Sequence, residues 1–148
     1  MIHIRRSILA FLTLSILACG QKNGYKELRA DVMKLHDEVM AKNDLVVHQQ
    51  MKLDSLLKGL DSLKQAHPGL DTVKSRQDLQ DLKKGLEDAE EEMNQWMQRF
   101  EPDAEGKSND AAVAYFEGEK RKLNHIDSLY NVNTKATESY LKDLGTKK

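Results

Sequence analysis

The chain is poor in several residue types, and each shortage narrows what the protein can be. One cysteine, Cys19, among 148 residues excludes an intramolecular disulfide. Aromatic residues make up 5% of the chain, which favours helices with narrow apolar seams over a thick core. Lysine and arginine do not outnumber aspartate and glutamate, and the formal net charge is −1. We therefore expect no nucleic-acid partner, because binding phosphates requires a basic surface.

Sequence motifs of the common enzyme classes are also missing. The chain has no glycine loop for phosphates, no HExxH or CxxC pattern and no nucleophile elbow, and its eight glycines are scattered. The sequence therefore predicts a protein that is not an enzyme and that requires no cofactor.

The N-terminus carries a short apolar run directly before the cysteine. Two arginines precede this run, residues 7–18, which has the length of the apolar region of a secretory signal but is too short to span a bilayer. The small Ala18 followed at once by Cys19 resembles a bacterial lipobox, which implies cleavage before the cysteine and lipidation of its thiol. We therefore expect a signal peptide over residues 1–18, whose removal lowers the formal net charge from −1 to −3.

The residues after the cysteine predict where the protein is sorted. Residues 19–24 form a short polar tether in which Gly20 follows the lipidated Cys19. In bacterial lipoproteins an aspartate at that position retains the protein in the inner membrane, so a glycine predicts transfer to the outer membrane. The tether also lacks the acidic cluster that some bacteria use for surface display. We expect a cell-envelope protein, held in the outer membrane by several acyl chains and facing the periplasm.

The mature domain, residues 25–148, divides into three helical runs at Pro68 and Pro102. Apolar residues recur in each run at alternating steps of three and four residues, the pattern of coiled-coil-like helices. Short connections make successive helices antiparallel neighbours. The predicted fold class is therefore all-α, an elongated antiparallel three-helix bundle. Its helices are expected at about 25–66, 70–100 and 109–144, with a break in the first near Lys42.

One stretch is strongly acidic, with five carboxylates among residues 87–92. A metal site or an acid–base site requires several of them to converge on one point. On a helix they spread instead over more than half of the circumference around Ala89. The stretch therefore predicts a solvated helix face, and an enzyme or inhibitor module acting through it is the weaker alternative.

A set of methionine, histidine and tryptophan residues is less ordinary. It consists of Met33, His36 and Met40 in the first predicted helix and Met93, Trp96 and Met97 near the end of the second. A hairpin folded near residue 67 brings the two groups to the same height. Thioether and imidazole ligands select Cu(I) over hard cations, and an indole face adds a cation–π contact. In side-chain types the set is similar to the copper site of small periplasmic copper chaperones, which are β-barrels.

Packing explains much of the same set without a metal. Methionine fills irregular gaps in helical cores, and contacts between methionine sulfur and tryptophan are favourable on their own. Met93 and Trp96 occupy seam positions, where packing accounts for them. Met33 and Met40 lie about 100° from the seam, where packing accounts for them less well. Both interpretations stay open on the sequence alone.

Three segments, taken in order, resemble a known group of proteins. They are residues 34–40 (Lys-Leu-His-Asp-Glu-Val-Met), residues 93–100 (Met-Asn-Gln-Trp-Met-Gln-Arg-Phe) and residues 111–120 (Ala-Ala-Val-Ala-Tyr-Phe-Glu-Gly-Glu-Lys). Together they resemble short helical bacterial lipoproteins commonly labelled "viral A-type inclusion protein". The resemblance extends over most of residues 19–144 and implies a lipid-anchored helical domain, without a viral function and without a settled activity.

The sequence thus leaves two main functions open. The first is a non-catalytic, lipid-anchored envelope protein whose bundle is structural or binds a partner. That partner is another protein or a second copy of the chain, because heptad seams serve a bundle and a homo-oligomer equally well. The alternative is a periplasmic Cu(I)-binding protein or chaperone that uses the methionine, histidine and tryptophan set.

Overall fold

The computed structural model describes residues 24–146, and this range is all-α, without a strand. Five helices follow one another: α1 (Tyr25–Met40), α2 (Asn43–Lys58), α3 (Leu60–Ala66), α4 (Thr72–Arg99) and α5 (Asn109–Thr146). Within this range no helix has both the length and the apolar character needed to cross a membrane. The predicted all-α fold class is confirmed, whereas the predicted signal peptide and Cys19 lie outside the described residues.

The helices form three antiparallel arms of an elongated bundle. The first arm consists of α1, α2 and α3 in succession, α4 returns beside it, and α5 runs in the direction of the first arm again. α5 has 38 residues and is therefore about 57 Å long. α1 packs mainly on α5, whereas α2 and α3 pack mainly on α4. The first arm thus changes its main partner partway along the bundle.

A strict seven-residue repeat forms the core side of the first arm. Its members are the buried residues Val32, Val39, Val46, Leu53 and Leu60. A repeat of seven favours a left-handed supercoil, because only then does the apolar seam keep facing its partner helices. Rows with the same spacing complete the core: Leu79, Leu86 and Met93 on α4, and Phe116, Leu123 and Tyr130 on α5.

The α3–α4 turn is fixed by local hydrogen bonds. Residues 67–69 end α3, since the residue before a proline is disfavoured in the helical conformation. The Lys64 ammonium donates to two backbone carbonyls of the turn, each at 2.7 Å. Asp71 then caps α4 by accepting from two backbone N–H groups of its first turn, at 3.0 and 3.1 Å. Hydrogen bonds within the chain therefore hold the turn in place.

The first arm is where the helix bounds differ most from the sequence-based expectation. The helix expected over about 25–66 consists of three helices, with interruptions at 41–42 and at Gly59. At the first interruption the N–H of Lys42 bonds to the carbonyl of Val39, three residues back, which tightens the turn. The break expected near Lys42 is therefore present, and the break at Gly59 is additional. The other two helices end within two residues of their expected bounds.

Candidate functional site

The predicted methionine, histidine and tryptophan set is partly brought together. His36 on α1 and Trp96 on α4 lie with their ring centroids 5.7 Å apart and their planes tilted by 32°. Phe100 stacks on the Trp96 ring, and the two ring centroids are 4.5 Å apart. A hairpin folded near residue 67 places His36 opposite residue 98, so the observed contact with Trp96 lies within two residues of the expected register.

The four methionines of the set have different surroundings. Met93 is buried in the hydrophobic core, and Met40 packs against that core. Met33 is half-buried, whereas Met97 is 38% exposed. Core packing therefore accounts for Met93, and Met97 remains within reach of solvent at the end of α4.

His36 also has a carboxylate next to it. Its Nδ1 lies 2.9 Å from Oδ1 of the exposed Asp37. When Nδ1 carries the proton and donates to this carboxylate, Nε2 is the acceptor nitrogen that binds metals in proteins. The arrangement suits a metal-binding imidazole, although a surface hydrogen bond of this kind is stable without a metal.

A buried carboxylate holds the Trp96 indole in place. Trp96 Nε1 donates to Glu119 Oε2 at 2.8 Å, and the Lys122 ammonium lies 2.7 Å from Glu119 Oε1. The Glu119 side chain is only 7% exposed, so the indole and the ammonium compensate its charge where water does not. Sequence reasoning missed Glu119, although a glutamate at a seam position between Phe116 and Leu123 is the signal that points to it.

The five carboxylates of residues 87–92 do not converge on one point. Two pair with lysines one turn earlier on α4, at 3.4 and 2.5 Å. Two accept hydrogen bonds from glutamine side chains, at 3.1 and 2.9 Å. The fifth lies 3.7 Å from Nε2 of His125. Across residues 24–146, no three histidine, cysteine, aspartate or glutamate side chains are arranged to hold a metal ion.

A polar layer crosses the middle of the bundle, in the region where the first arm changes partner. Lys42 occupies a seam position, and its ammonium contacts Asp127 at 2.5 Å and Asn131 at 3.0 Å. Gln49 is buried at the next seam position and donates to the backbone carbonyl of Thr134 at 3.2 Å. Lys42 and Gln49 are the two gaps in the neighbouring apolar row of the first arm, and polar contacts to α5 occupy both positions; the other members of that row are Leu28, Leu35, Leu56 and Leu63.

Tyr130 belongs to the same polar layer. Its hydroxyl donates to Asn43 Oδ1 at 3.3 Å. Burial raises the pKa of Tyr130 to about 12, and the negative charge of Glu90 contributes in the same direction. Gln49 Oε1 and Thr137 Oγ1 are buried without a hydrogen-bond partner among the residues that the structure describes. Some hydrogen-bonding groups in and next to this layer are therefore buried without a partner, which is uncommon in protein interiors.

A cleft lies at the end of the bundle opposite to residue 24. The α3–α4 turn, the first turns of α4 and the last turns of α5 enclose a volume of about 820 Å³, which we call the tip cleft. Its apolar lining includes Leu70, Tyr140 and Leu144, and its charged lining consists of Asp71, Lys74, Asp78 and Asp143. Lys74 contacts both carboxylate oxygens of Asp78, at 2.8 and 2.7 Å, and this ion pair raises the pKa of Lys74. Sequence reasoning missed this cleft, because it depends on where α5 ends relative to the turn.

Comparison with known proteins identifies no relative of this chain. No protein-family model matches the chain, and neither curated proteins nor solved structures give a significant match. The resemblance to bacterial lipoproteins therefore stays a prediction from the sequence.

Proposed function

We propose that the chain is a lipid-anchored, non-catalytic protein of the bacterial envelope, whose bundle serves as a structural or protein-interaction module. Cys19 carries the lipid, and the bundle faces the periplasm from the outer membrane. In this proposal the resemblance to short helical lipoproteins reflects a shared way of displaying a helical domain close to a membrane.

One observation carries the proposal: the chain enters the bundle at one end, the end to which an anchor at Cys19 would connect. Residue 24, which leads back to Cys19 through a short tether, directly precedes α1 at the end where α4 also finishes. The α3–α4 turn lies at the other end, about 57 Å away by the length of α5. An anchor at Cys19 therefore displays one end of the bundle to partners and leaves its sides accessible.

The surface chemistry supports a non-catalytic role. The carboxylates of residues 87–92 each engage a different side chain, and most of these contacts are pairs one helical turn apart. Such pairs stabilise exposed helices by a few tenths of a kcal/mol each, about 0.2–0.5. They account for the charge on α4 without a substrate.

Site-specific photo-cross-linking in living cells tests the interaction role. A photoreactive phenylalanine analogue is placed at three exposed positions of the full chain, Val73 near the tip, Met51 on α2 and Met97 near the anchored end. We expect a discrete adduct with an envelope protein, or with a second copy of the chain, from at least one position, and its loss in Cys19→Ser. The same pattern of adducts with and without the anchor, or no adduct at all three positions, would contradict the proposal.

Protease treatment of whole cells tests the orientation. A periplasm-facing bundle is protected in intact cells and digested after the outer membrane is permeabilised. Digestion without permeabilisation would show instead that the bundle faces the outside of the cell.

A Cu(I)-binding protein is the second candidate, and the contact between His36 and Trp96 favours it. The imidazole lies 5.7 Å from the indole, and its Nδ1 is next to Asp37, so a soft cation at Nε2 has an aromatic ring nearby. Met97 is exposed enough to join such a site.

An anaerobic Cu(I) titration that follows Trp96 fluorescence tests this candidate. Tight one-to-one binding with strong quenching is expected, and Met93→Leu combined with Met97→Leu should abolish it. The matched control is Met51→Leu, on the outer face of α2, which should leave the titration unchanged. No quenching in the wild-type protein would leave the cluster as core packing.

A further inference from the structure

We propose that the outer face of α2 binds the same face of a second copy of the chain, with the two helices antiparallel. The inference rests on the proposed function as a protein-interaction module and adds to it the partner and the surface of the contact.

The outer face of α2 is rich in exposed apolar side chains. Six large apolar side chains are exposed among residues 24–146, and three of them, Leu45, Val47 and Met51, lie within seven residues of α2. Met51 is 61% exposed. The inner face of the same helix is part of the hydrophobic core, where it packs on α4 and α5. A helix that is apolar on both faces is expected to be covered on both, and only the inner face is covered within the bundle.

The residues of this face are arranged symmetrically about His48. Leu45 and Met51 lie three residues before and after it, and the small residues Ala41 and Ser55 lie seven residues before and after it. At 3.6 residues per turn these five side chains share a sector of about 120°, which we call the α2 face. When two copies pack antiparallel around His48, Leu45 of each copy lies at the height of Met51 of the other. A face with this symmetry is complementary to itself, as a twofold interface requires.

Two charged side chains favour the antiparallel direction. Asp44 and Lys52 lie four residues before and after His48, and both are exposed. Neither side chain has a hydrogen bond or an ion pair among the residues that the structure describes. An antiparallel pair brings Asp44 of each copy to the height of Lys52 of the other, whereas a parallel pair brings like charges together. Exposed ion pairs add little affinity, but here they select one direction of packing.

The length of α2 limits the strength of the contact. The helix has 16 residues and is therefore about 24 Å long. A contact along one helix of this length is smaller than a standard protein–protein interface, so we expect the two copies to associate weakly in solution. Anchoring in a membrane raises the local concentration of the copies and therefore favours the pair.

The antiparallel pair is compatible with anchoring through Cys19. Because His48 is close to the middle of the first arm, residue 24 of one copy lies near the α3–α4 turn of the other. Two copies anchored in one membrane form this pair when both bundles lie along the membrane surface, with the twofold axis perpendicular to it. The bundles then contact each other through their sides, and the tip cleft takes no part in the pair.

Disulfide cross-linking of single-cysteine variants tests the proposal. The full chain carries Cys19→Ser, so that the introduced thiol is the only one, and is purified in neutral detergent micelles. Under mild oxidation His48→Cys should form a linked dimer about tenfold faster than Asp88→Cys at an exposed position of α4, because only residue 48 faces its own copy within bridging distance. Equal rates in the two variants, or no dimer from His48→Cys, would overturn the proposal.

Charge reversal tests the direction of the pair with the same readout. In the His48→Cys chain, Lys52→Glu should slow dimer formation about fivefold, since it places two carboxylates at the same height. Adding Asp44→Lys to Lys52→Glu restores opposite charges and should restore the rate. The matched control is Arg121→Glu, an equal change of charge at an exposed position of α5. No effect of Lys52→Glu, no recovery in the combined variant, or an equal effect of Arg121→Glu would contradict the antiparallel pair.

The cross-linking experiment in cells separates this inference from the proposed function. An adduct between Met51 and a second copy of the chain supports both. If adducts form only with another envelope protein and His48→Cys yields no dimer, the self-pair is wrong and the interaction module is not. If His48→Cys dimerises but the wild-type chain is found without a lipid in the aqueous fraction, the pair is right and the lipid-anchored module is wrong.

Discussion

At the scale of single residues, the contact between Trp96 and Glu119 joins two buried polar groups on different helices. Glu119→Ala leaves the indole N–H at the edge of the core without its acceptor at 2.8 Å. We expect the free energy of unfolding to fall by about 1–3 kcal/mol, the cost of an unsatisfied buried donor. Urea denaturation followed by circular dichroism measures this change.

Two control variants separate the hydrogen bond from the charge. Glu119→Gln keeps an acceptor for the indole and should lose less stability than Glu119→Ala. Glu117→Ala removes a glutamate from an exposed position on the same helix and should change the free energy of unfolding by less than about 0.5 kcal/mol. Equal stability of Glu119→Ala and the wild type would show that the contact contributes nothing.

We expect Tyr130 to make the free energy of unfolding depend on pH in the alkaline range. Its pKa is raised to about 12 in the folded bundle by burial, compared with about 10 in an unfolded chain. The unfolded state therefore loses the phenol proton first, so the stability that Tyr130 contributes is complete below about pH 10 and declines as the pH rises toward 12.

An ultraviolet titration of tyrosinate absorbance checks this pH dependence. We expect a component that ionises late, near pH 12, and that disappears in Tyr130→Phe. The control Tyr25→Phe should leave the late component in place. A wild-type titration without a late component would contradict the burial of Tyr130.

At the scale of helices, α4 and α5 approach closely at Gly85. A Cβ at this position would lie 2.4 Å from Asn133 Oδ1, and Asn133 Nδ2 donates to the backbone carbonyl of Leu129 at 2.9 Å. Gly85→Ala must move that side chain, so we expect the usual gain of alanine in a helix, about 0.5–1 kcal/mol, to be cancelled. Gly118→Ala, whose nearest neighbouring atom is 3.8 Å away, should show the full gain in thermal unfolding.

The double variant gives this prediction its sharpest test. In an Asn133→Ala background the obstacle is gone, and Gly85→Ala should then be stabilising. If Gly85→Ala is as stabilising as Gly118→Ala in the wild-type background, the close approach of α4 and α5 is wrong.

The polar layer weakens the first arm where it meets α5. Gln49→Leu restores an apolar residue at a seam position and removes the unpartnered Oε1, so we expect the free energy of unfolding to rise by about 1–2 kcal/mol. Gln50→Leu, one residue further and half-buried, is the matched control and should bring no such gain. Light scattering on the same samples shows whether a fully apolar seam also permits self-association.

These helices show what the sequence can and cannot predict. The spacing of Val32, Val39 and Val46 fixes which face of the first arm is buried, because periodicity is a local property of the chain. The meeting of His36 with Trp96 follows from the place of the turn near residue 67. The seam position of Glu119 signals its burial, but its partner Trp96 could not be predicted, because that contact depends on how far α5 is rotated toward α4.

The sequence also did not predict that the first arm packs on α5 along α1 and on α4 along α2 and α3. Both α1 and α2 carry the same heptad pattern, so nothing in the spacing distinguishes packing on α5 from packing on α4. Lys42 and Gln49 are visible as gaps in the seam, but their partners on α5 follow only from the register of two parallel helices. The tip cleft depends on the relative lengths of three arms and was missed for the same reason.

At the scale of the whole molecule, the three arms make a rod with residue 24 at one end and a cleft at the other. The apolar core explains why the rod is stable, since burial of large side chains contributes about 1.5–3 kcal/mol each. The function that we propose for the rod depends on the predicted membrane anchor, because both the proposed display of the tip and the proposed orientation toward the periplasm follow from it.

Metabolic labelling with an alkyne analogue of palmitate is therefore the measurement that tests the lipid-anchored module most directly. The wild-type chain should incorporate the label and sediment with the membrane fraction. Cys19→Ser should remain unlabelled and lose the signal-peptide cleavage that depends on the lipid. An unlabelled wild-type chain in the aqueous fraction would contradict the anchor, and with it the proposed display of the bundle.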